Sequence, residues 1–386
     1  MPIQLPAVGL ALAALLTAAL VALISTPVVR SLAFRVGAVD VPKDARRMHT
    51  HPIPRMGGLA IFFGFILSVL IFLPLTQELR GMLLGSVVIV ILGILDDIFA
   101  LPALPKFFVQ IGAALIAVLH GNRIEFLSNP NIFSQDLFWE LGLLAVPITV
   151  FWIVGITNAV NLIDGLDGLA CGVSTISSMT MLVIALIVAE PDVALLMGAL
   201  SGACIGFLPY NLNPAKIFMG DTGSTFLGFV LAVVSIQGLF KFYAIISFAV
   251  PFLMLGLPIF DTCFAILRRV SHGQSPMAPD RGHIHHRLID MGFTQKQAVA
   301  VLYIISAILG LSAVVLTTIG VVRAILFLLA LCAAGAVAAK IYLDRTGGGA
   351  PEPPDVPPSD SRIPRPRQSQ PADSEKFFGE KERSDK

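Results

Sequence analysis

The sequence predicts an all-α polytopic integral membrane protein of about 11 transmembrane helices, with the N-terminus outside and the C-terminus cytoplasmic. Three observations predict it. Of 386 residues, 56% are apolar and 13% charged at a mean hydropathy of +0.84, whereas soluble domains carry about 25% charged residues. The apolar residues fall in runs of about 17 to 25, long enough to cross a hydrocarbon core of about 30 Å as helices. The basic residues gather in alternate loops.

Taken in order, the candidate spans lie near 6–25, 57–75, 80–95, 104–120, 139–158, 168–189, 192–210, 223–240, 242–267, 297–318 and 322–343. The first lacks a basic leading segment and a small-residue cleavage site, so it reads as a span and not as a removed signal peptide. The third and fourth are the shortest. The fifth runs into "NAVNLIDGLDG", and the eighth starts from "MGDTGS". After Leu343 the chain turns rich in Pro, Ser and charge with little to bury, which predicts a transmembrane domain over 1–343 and a disordered cytoplasmic tail over 344–386.

Loops rich in Lys and Arg stay cytoplasmic. Arg30, Arg35, Lys43, Arg46, Arg47 and Arg55 follow span one, and Arg268, Arg269, Arg281, Arg287 and Lys296 follow span nine. The even-numbered loops hold only Arg80, Arg123, Lys241 and Arg323, so both sets of loops give the same topology.

A net charge of +1 argues against a nucleic-acid partner, which would show a basic face or a strongly basic domain. Cys171, Cys204, Cys263 and Cys332 sit in apolar runs without CxxC spacing and read as small hydrophobes. The polar loops are informative. "LDDIFALPALPK", "NAVNLIDGLDG", "NLNPAKIFMGDTGS" and "PDRGHIHHRL" all fall on the predicted cytoplasmic face, as do six of the seven histidines. An ion-coupled transporter would carry its ionisable residues near mid-span, often in repeated halves; here they cluster at span ends, without a visible repeat. A structural scaffold has no use for carboxylates in glycine-flanked turns.

Asp96, Asp97, Asp164, Asp167 and Asp221 need water or a cation, because a carboxylate at the bilayer centre costs about 2.5 to 3.5 kcal/mol. Two of them about 4 Å apart repel by about 4 kcal/mol at an effective dielectric near 20. A divalent cation reverses that sign, and hard oxygen ligands suit Mg²⁺ or Mn²⁺. Asn158, Asn161, Asp164 and Asp167 recur every three residues, which a straight α-helix spreads around its axis. Gly165 and Gly168 allow the helix to end near Asp164 and project both carboxylates from its terminus. Asp221 stands between two glycines at a helix start, a setting that favours phosphate and metal ions. His283, His285, His286 and Arg287 suit an anionic substrate better than zinc, for which no matching Cys pair exists. For Asp261, a structural pairing with Arg268 or Arg269 is the plain alternative to a ligand role.

Six ordered motifs, "VDVPKDARRMHTHPIPRMGG", "GILDDIF", "NAVNLIDGLDGLA", "FMGDTGS", "PIFDTCFAILRR" and "HIHHRL", resemble those of the polyprenyl-phosphate N-acetylhexosamine-1-phosphate transferases, the WecA/MraY-like superfamily, up to about residue 310. The resemblance implies transfer of a phospho-sugar from a UDP-sugar donor to undecaprenyl or another polyprenyl phosphate, with Mg²⁺ as cofactor and UMP released. It implies a bacterial inner-membrane enzyme with its site facing the cytoplasm, starting cell-envelope polysaccharide synthesis; a homodimer is also considered. The "HIHHRL" box looks like the branch using UDP-N-acetylglucosamine, with the phospho-N-acetylmuramoyl-pentapeptide branch second. By the same resemblance Asp221 is the principal metal ligand, with Asp97 as its partner. Asp96 or Asp97 orients or deprotonates the acceptor phosphate. Asn161, Asp164 and Asp167 contact the nucleotide, while Lys106, His283, His285, His286 and Arg287 neutralise phosphates. One departure is visible: the position three after the Asp pair, often charged in the family, is Ala100.

Overall fold

A computed structural model describes residues 5–41, 51–128, 138–238, 249–275 and 282–319, with scattered residues from 323 to 330. Those residues belong to one compact unit, Met1–Ala333. The expected eleventh span, the boundary at 343 and the tail beyond it lie almost wholly outside the described residues.

The chain is helical where the apolar runs required it. The helices are α1 (Leu5–Val36), α2 (Gly58–Phe72), α3 (Gln77–Phe99), α4 (Ala103–Leu119), α5 (Ala145–Leu162), α6 (Leu169–Ile187), α7 (Pro191–Asn211) and α8 (Gly220–Gly238). They continue with α9 (Ala249–Met254), α10 (Gly256–Ser271), α11 (Ile284–Asp290) and α12 (Gln295–Ile319). Among the described residues, six helices are long and apolar enough to cross a membrane by length and composition alone, and α2 and α4 are shorter apolar helices of 15 and 17 residues.

Three expectations change. The ninth span is broken at Leu255, where α9 gives way to α10. The first helix runs to Val36, well past residue 25. The fifth begins at Ala145, because Phe138–Glu140 forms a strand, β4, antiparallel to Phe126–Ser128, β3. Two further short strands, Val39–Asp40 (β1) and Ile53–Pro54 (β2), pair antiparallel between α1 and α2.

Small residues set how closely the helices pack. On α7, Gly198, Gly202 and Gly206 recur every four residues, and a Cβ at each would strike the α1 carbonyl oxygen of Ala11, Leu15 or Ala19. Hydrocarbon offers no hydrophobic drive between helices, so such close backbone approach supplies the van der Waals contact. Phe62, Phe65 and Phe226 join α2 to α8 through edge-to-face ring contacts. α3 and α5 flank α8, whose side chains are almost entirely buried. α8 is therefore the central post of the bundle, and its first turn lies among the polar loops.

Candidate active site

The carboxylates meet where α3 ends and α8 begins. At the α3 terminus Ala100 adopts a left-handed φ of 51° and returns its N–H to the Asp96 carbonyl at 2.8 Å. The reversal lets Leu101 N–H donate to Asp96 Oδ1 at 2.7 Å and brings α4 back across the site. Lys106 Nζ then donates to Asp96 Oδ2 at 2.8 Å and to Asp221 Oδ2 at 3.2 Å. One ammonium thus bridges two carboxylates that would otherwise repel. Ala100, where the resemblance would place a charge, is a turn residue.

Asp97, expected as a metal ligand, has both carboxylate oxygens bonded at the start of α8. Its Oδ1 accepts the Asp221 N–H at 3.0 Å; its Oδ2 accepts the Thr222 N–H at 3.1 Å and the Thr222 hydroxyl at 2.6 Å. Arg55 Nε lies 3.6 Å from Oδ1, and the Asp97 side chain is 0% exposed. Both oxygens are therefore engaged, and Asp97 caps α8 from a neighbouring helix, satisfying N–H groups that a helix start leaves open. Gly220 makes this possible: its φ is +70°, and a Cβ there would collide with the Asp97 carboxylate. Nearby, a Cβ on Gly58 would strike the Gly223 backbone, so α2 and α8 touch without side chains between them.

Asp96 and Asp221 each turn one oxygen to the shared Lys106 ammonium, and as hard oxygen donors they are the pair that would hold a divalent ion. Among the described residues no three His, Cys, Asp or Glu side chains converge as a protein cage. Two carboxylates suit Mg²⁺, which keeps waters and completes its shell with substrate phosphate oxygens. The pair fits the expected divalent ion on those terms.

Beside the pair opens a cavity of about 410 Å³ whose walls include Arg55, Asp164, Asp167, Asn213, His286 and Gln295. α5 ends at Leu162, and the turn to Gly168 carries Asp164 and Asp167, as the glycine spacing requires. Asp167 Oδ2 accepts from Asn213 Nδ2 at 2.9 Å and Ala215 N–H at 3.0 Å, while Asn213 also donates to Gln295 Oε1 at 2.7 Å. Tyr303 on α12 donates its hydroxyl to the Gly168 carbonyl at 2.6 Å, bracing the turn from behind. Asn161 does not line this cavity; it donates to Ser224 Oγ at 2.8 Å and ties α5 to α8.

Burial first, and the negative charge of Asp221 second, push the Asp164 carboxyl up to about 7, against the opposing pull of Arg55. The folded state therefore holds a proton that the unfolded chain releases near the ordinary carboxylate value, so this group destabilises the fold progressively as pH rises from about 4 to about 7. Asp164→Asn is expected to raise the thermal midpoint in metal-free detergent solution more at pH 8 than at pH 5. An equal shift at both pH values would refute this.

The histidine box divides its duties. His286 lines the cavity. His283 is buried and its Nδ1 bonds Asp261 Oδ2 at 2.8 Å, so the partner of Asp261 here is an imidazole. His285 lies under the Asp164–Asp167 turn, with burial, followed by repulsion from His286, pushing it down to about 4. His283 and His285, expected to neutralise phosphates, are both buried, and neither lines the cavity. Arg287 is exposed on α11 and is not part of the cavity wall. A Cβ on Gly165 would fall on the His285 ring at Nε2. Gly165→Ala should therefore lower stability by about 1–3 kcal/mol through overpacking, and His285→Ala in the same chain should restore part of the thermal midpoint; a Gly165→Ala protein that melts like the wild type contradicts the contact.

Sequence reasoning missed Arg55, Asn213 and Gln295 as parts of the wall. Arg55 carries a topology signal and sits in the "VDVPKDARRMHTHPIPRMGG" motif, where its place next to a glycine pair is the available clue.

Comparison with known proteins follows the same residues. The Glycosyl transferase family 4 profile matches residues 79–239, from α3 to α8. A Bacillus subtilis (strain 168) protein named "Probable undecaprenyl-phosphate N-acetylglucosaminyl 1-phosphate transferase" is 45% identical over 304 residues, covering 78% of this chain and 84% of that one. The chain belongs to glycosyl transferase family 4. The family 4 relatives also include the decaprenyl-phosphate N-acetylglucosaminephosphotransferase of Mycolicibacterium smegmatis, 35% identical over 75% of this chain and 78% of its own. The undecaprenyl-phosphate alpha-N-acetylglucosaminyl 1-phosphate transferase of Escherichia coli K12 is 29% identical over 72% of this chain and 77% of its own. The matched region of this family 4 chain holds Asp96, Asp97, Lys106, Asn161, Asp164, Asp167 and Asp221.

Proposed function

We propose that the chain is a glycosyl-1-phosphate transferase that moves N-acetylglucosamine-1-phosphate from UDP-N-acetylglucosamine to undecaprenyl phosphate. The observation that carries this is the Lys106-bridged Asp96 and Asp221 pair beside a polar cavity of about 410 Å³, in a chain whose relatives are named for this transfer. The acceptor phosphate oxygen attacks the sugar-bearing phosphorus of the donor. A new P–O bond forms, the bond to the bridging pyrophosphate oxygen breaks, and UMP leaves with that oxygen.

Asp164, Asp167 and His286 bind the donor in the cavity, with Arg55 beside its phosphates. Asp96 orients the acceptor phosphate and accepts its proton where one is present. Asp221 and Asp96 would hold Mg²⁺, or Mn²⁺ in its place, and Asp97 fixes Asp221 through the backbone. The bound ion supplies charge neutralisation between two anionic substrates and on the departing UMP. Lys106 keeps the carboxylate pair together and meets phosphate oxygens. Basic loops at this end of the bundle support a cytoplasmic-facing site in the bacterial inner membrane.

Purified protein with Mg²⁺ should release UMP only when undecaprenyl phosphate and UDP-N-acetylglucosamine are both present. A panel of UDP-sugars, including UDP-N-acetylmuramoyl-pentapeptide, identifies the donor. UMP release without the lipid, or none with any donor, would remove this function.

A further inference from the structure

We propose that Asp261 is a positioning residue for the donor: its carboxylate fixes the start of α11 so that His286 faces the cavity. The inference rests on the donor-binding reading of that cavity. Asp261 is on α10 and 3% exposed, and His283 is 5% exposed. Asp261 Oδ1 accepts the Ile284 N–H at 2.8 Å, and Oδ2 accepts His283 Nδ1–H at 2.8 Å. A carboxylate only accepts, so the proton of the imidazole sits on Nδ1 and the ring orientation is set. Two-point attachment fixes both the backbone and the first side chain of α11.

The orientation passes along the box. The His283 and His285 rings stack with centroids 5.7 Å apart and planes 9° from parallel, and His285 and His286 lie 4.3 Å apart at 45°. His285 is also held against Gly165, between the two cavity aspartates. His286, the one member on the cavity wall, is therefore aimed by a chain of contacts that begins at Asp261. One α10 face supplies a second brace: Arg268, seven residues on, donates to the Gly282 carbonyl at 3.0 Å. α10 thus grips the segment entering α11 at both Gly282 and Ile284. The carboxylate pair takes no part in these contacts, so loosening them should affect donor binding and leave the chemistry intact.

The test measures UDP-N-acetylglucosamine binding by titration calorimetry and steady-state kinetics on full-length protein in detergent with Mg²⁺. Asp261→Ala should weaken donor binding and raise donor KM about 10- to 100-fold, the usual loss when an outer partner no longer orients a binding residue. Acceptor KM, and kcat at saturating donor, should stay within about threefold on the same argument. Asp261→Asn keeps an acceptor for the Ile284 N–H but not for the imidazole, and should fall between wild type and Ala, which covers the case in which the Ala variant does not fold. Because Asp261 acts through His286, the Asp261→Ala/His286→Ala double variant should bind no worse than His286→Ala alone. Additive losses, or unchanged donor affinity with only a lower melting temperature, would overturn the proposal. A wild-type protein that binds no UDP-N-acetylglucosamine removes the proposed donor, and this inference with it. A wild type that binds normally beside an Asp261→Ala variant of equal affinity removes the inference alone.

Discussion

Asp221→Asn is expected to leave a folded, membrane-inserted protein that no longer releases UMP, with turnover down by on the order of 10³-fold or more, the size of losing an electrostatic contact to developing charge. The structure separates the two consequences. What holds the start of α8 is the backbone N–H of Asp221, bonded to Asp97 at 3.0 Å, and asparagine keeps that group. The side chain reaches outward, is 21% exposed, and shares the Lys106 ammonium with Asp96. Asparagine fills the same volume but contributes no negative charge to hold a divalent ion. Unchanged thermal midpoint with vanished UMP release is the expected result. Wild-type turnover in this variant would take Asp221 out of the reaction.

Asp97→Ala should fail in a different way. Removing the carboxylate leaves the Asp221 and Thr222 N–H groups and the Thr222 hydroxyl without their acceptor, beside an Arg55 that has lost its counter-charge. Breaking a buried, hydrogen-bonded charge in this way costs about 3–5 kcal/mol, so the melting temperature should fall together with kcat. Asp97→Asn, which keeps acceptor capacity on one side only, should lose less of both. The Mg²⁺ concentration for half-maximal rate discriminates the roles: a capping residue leaves it nearly unchanged in the Asn variant, and a direct ligand raises it steeply. A steep rise would return Asp97 to the metal.

Hydropathy located the helices because burial in lipid demands long apolar runs, and the aspartates stood out because carboxylates are costly there. α3 lies at 77–99 where 80–95 was expected, and the turn between α5 and α6 falls on the glycines that implied it. Local pattern did not reveal direction. Nothing in "HIHHR" distinguishes a ring that faces the cavity from one that faces α10, because the deciding partner, Asp261, lies 22 residues from His283. Asp97 and Asp96 are neighbours with identical chemistry, and only the arrival of Thr222, 125 residues later, makes one a cap and leaves the other facing Lys106. Arg55, Asn213 and Gln295 were hidden for the same reason, as Asn213 meets Gln295 across 82 residues. The break at Leu255 had a mark that hydropathy ignores: Gly256 and Pro258 follow it at once, and Pro258 has no N–H to donate to residue 254.

The bare backbone contact of Gly58 with Gly223 gives this centre one stiff wall and one compliant wall. With Gly93 also pressed on Thr222, the start of α8 cannot shift without dragging α2 and α3 along, because no side chain between them can change rotamer to absorb the motion. A second wall, where Gln295 stands, is joined to Asn213 through a side-chain bond that can be remade. Differences in sugar size among related chains should therefore be written on that second wall, while the geometry of phosphate exchange stays frozen against the first.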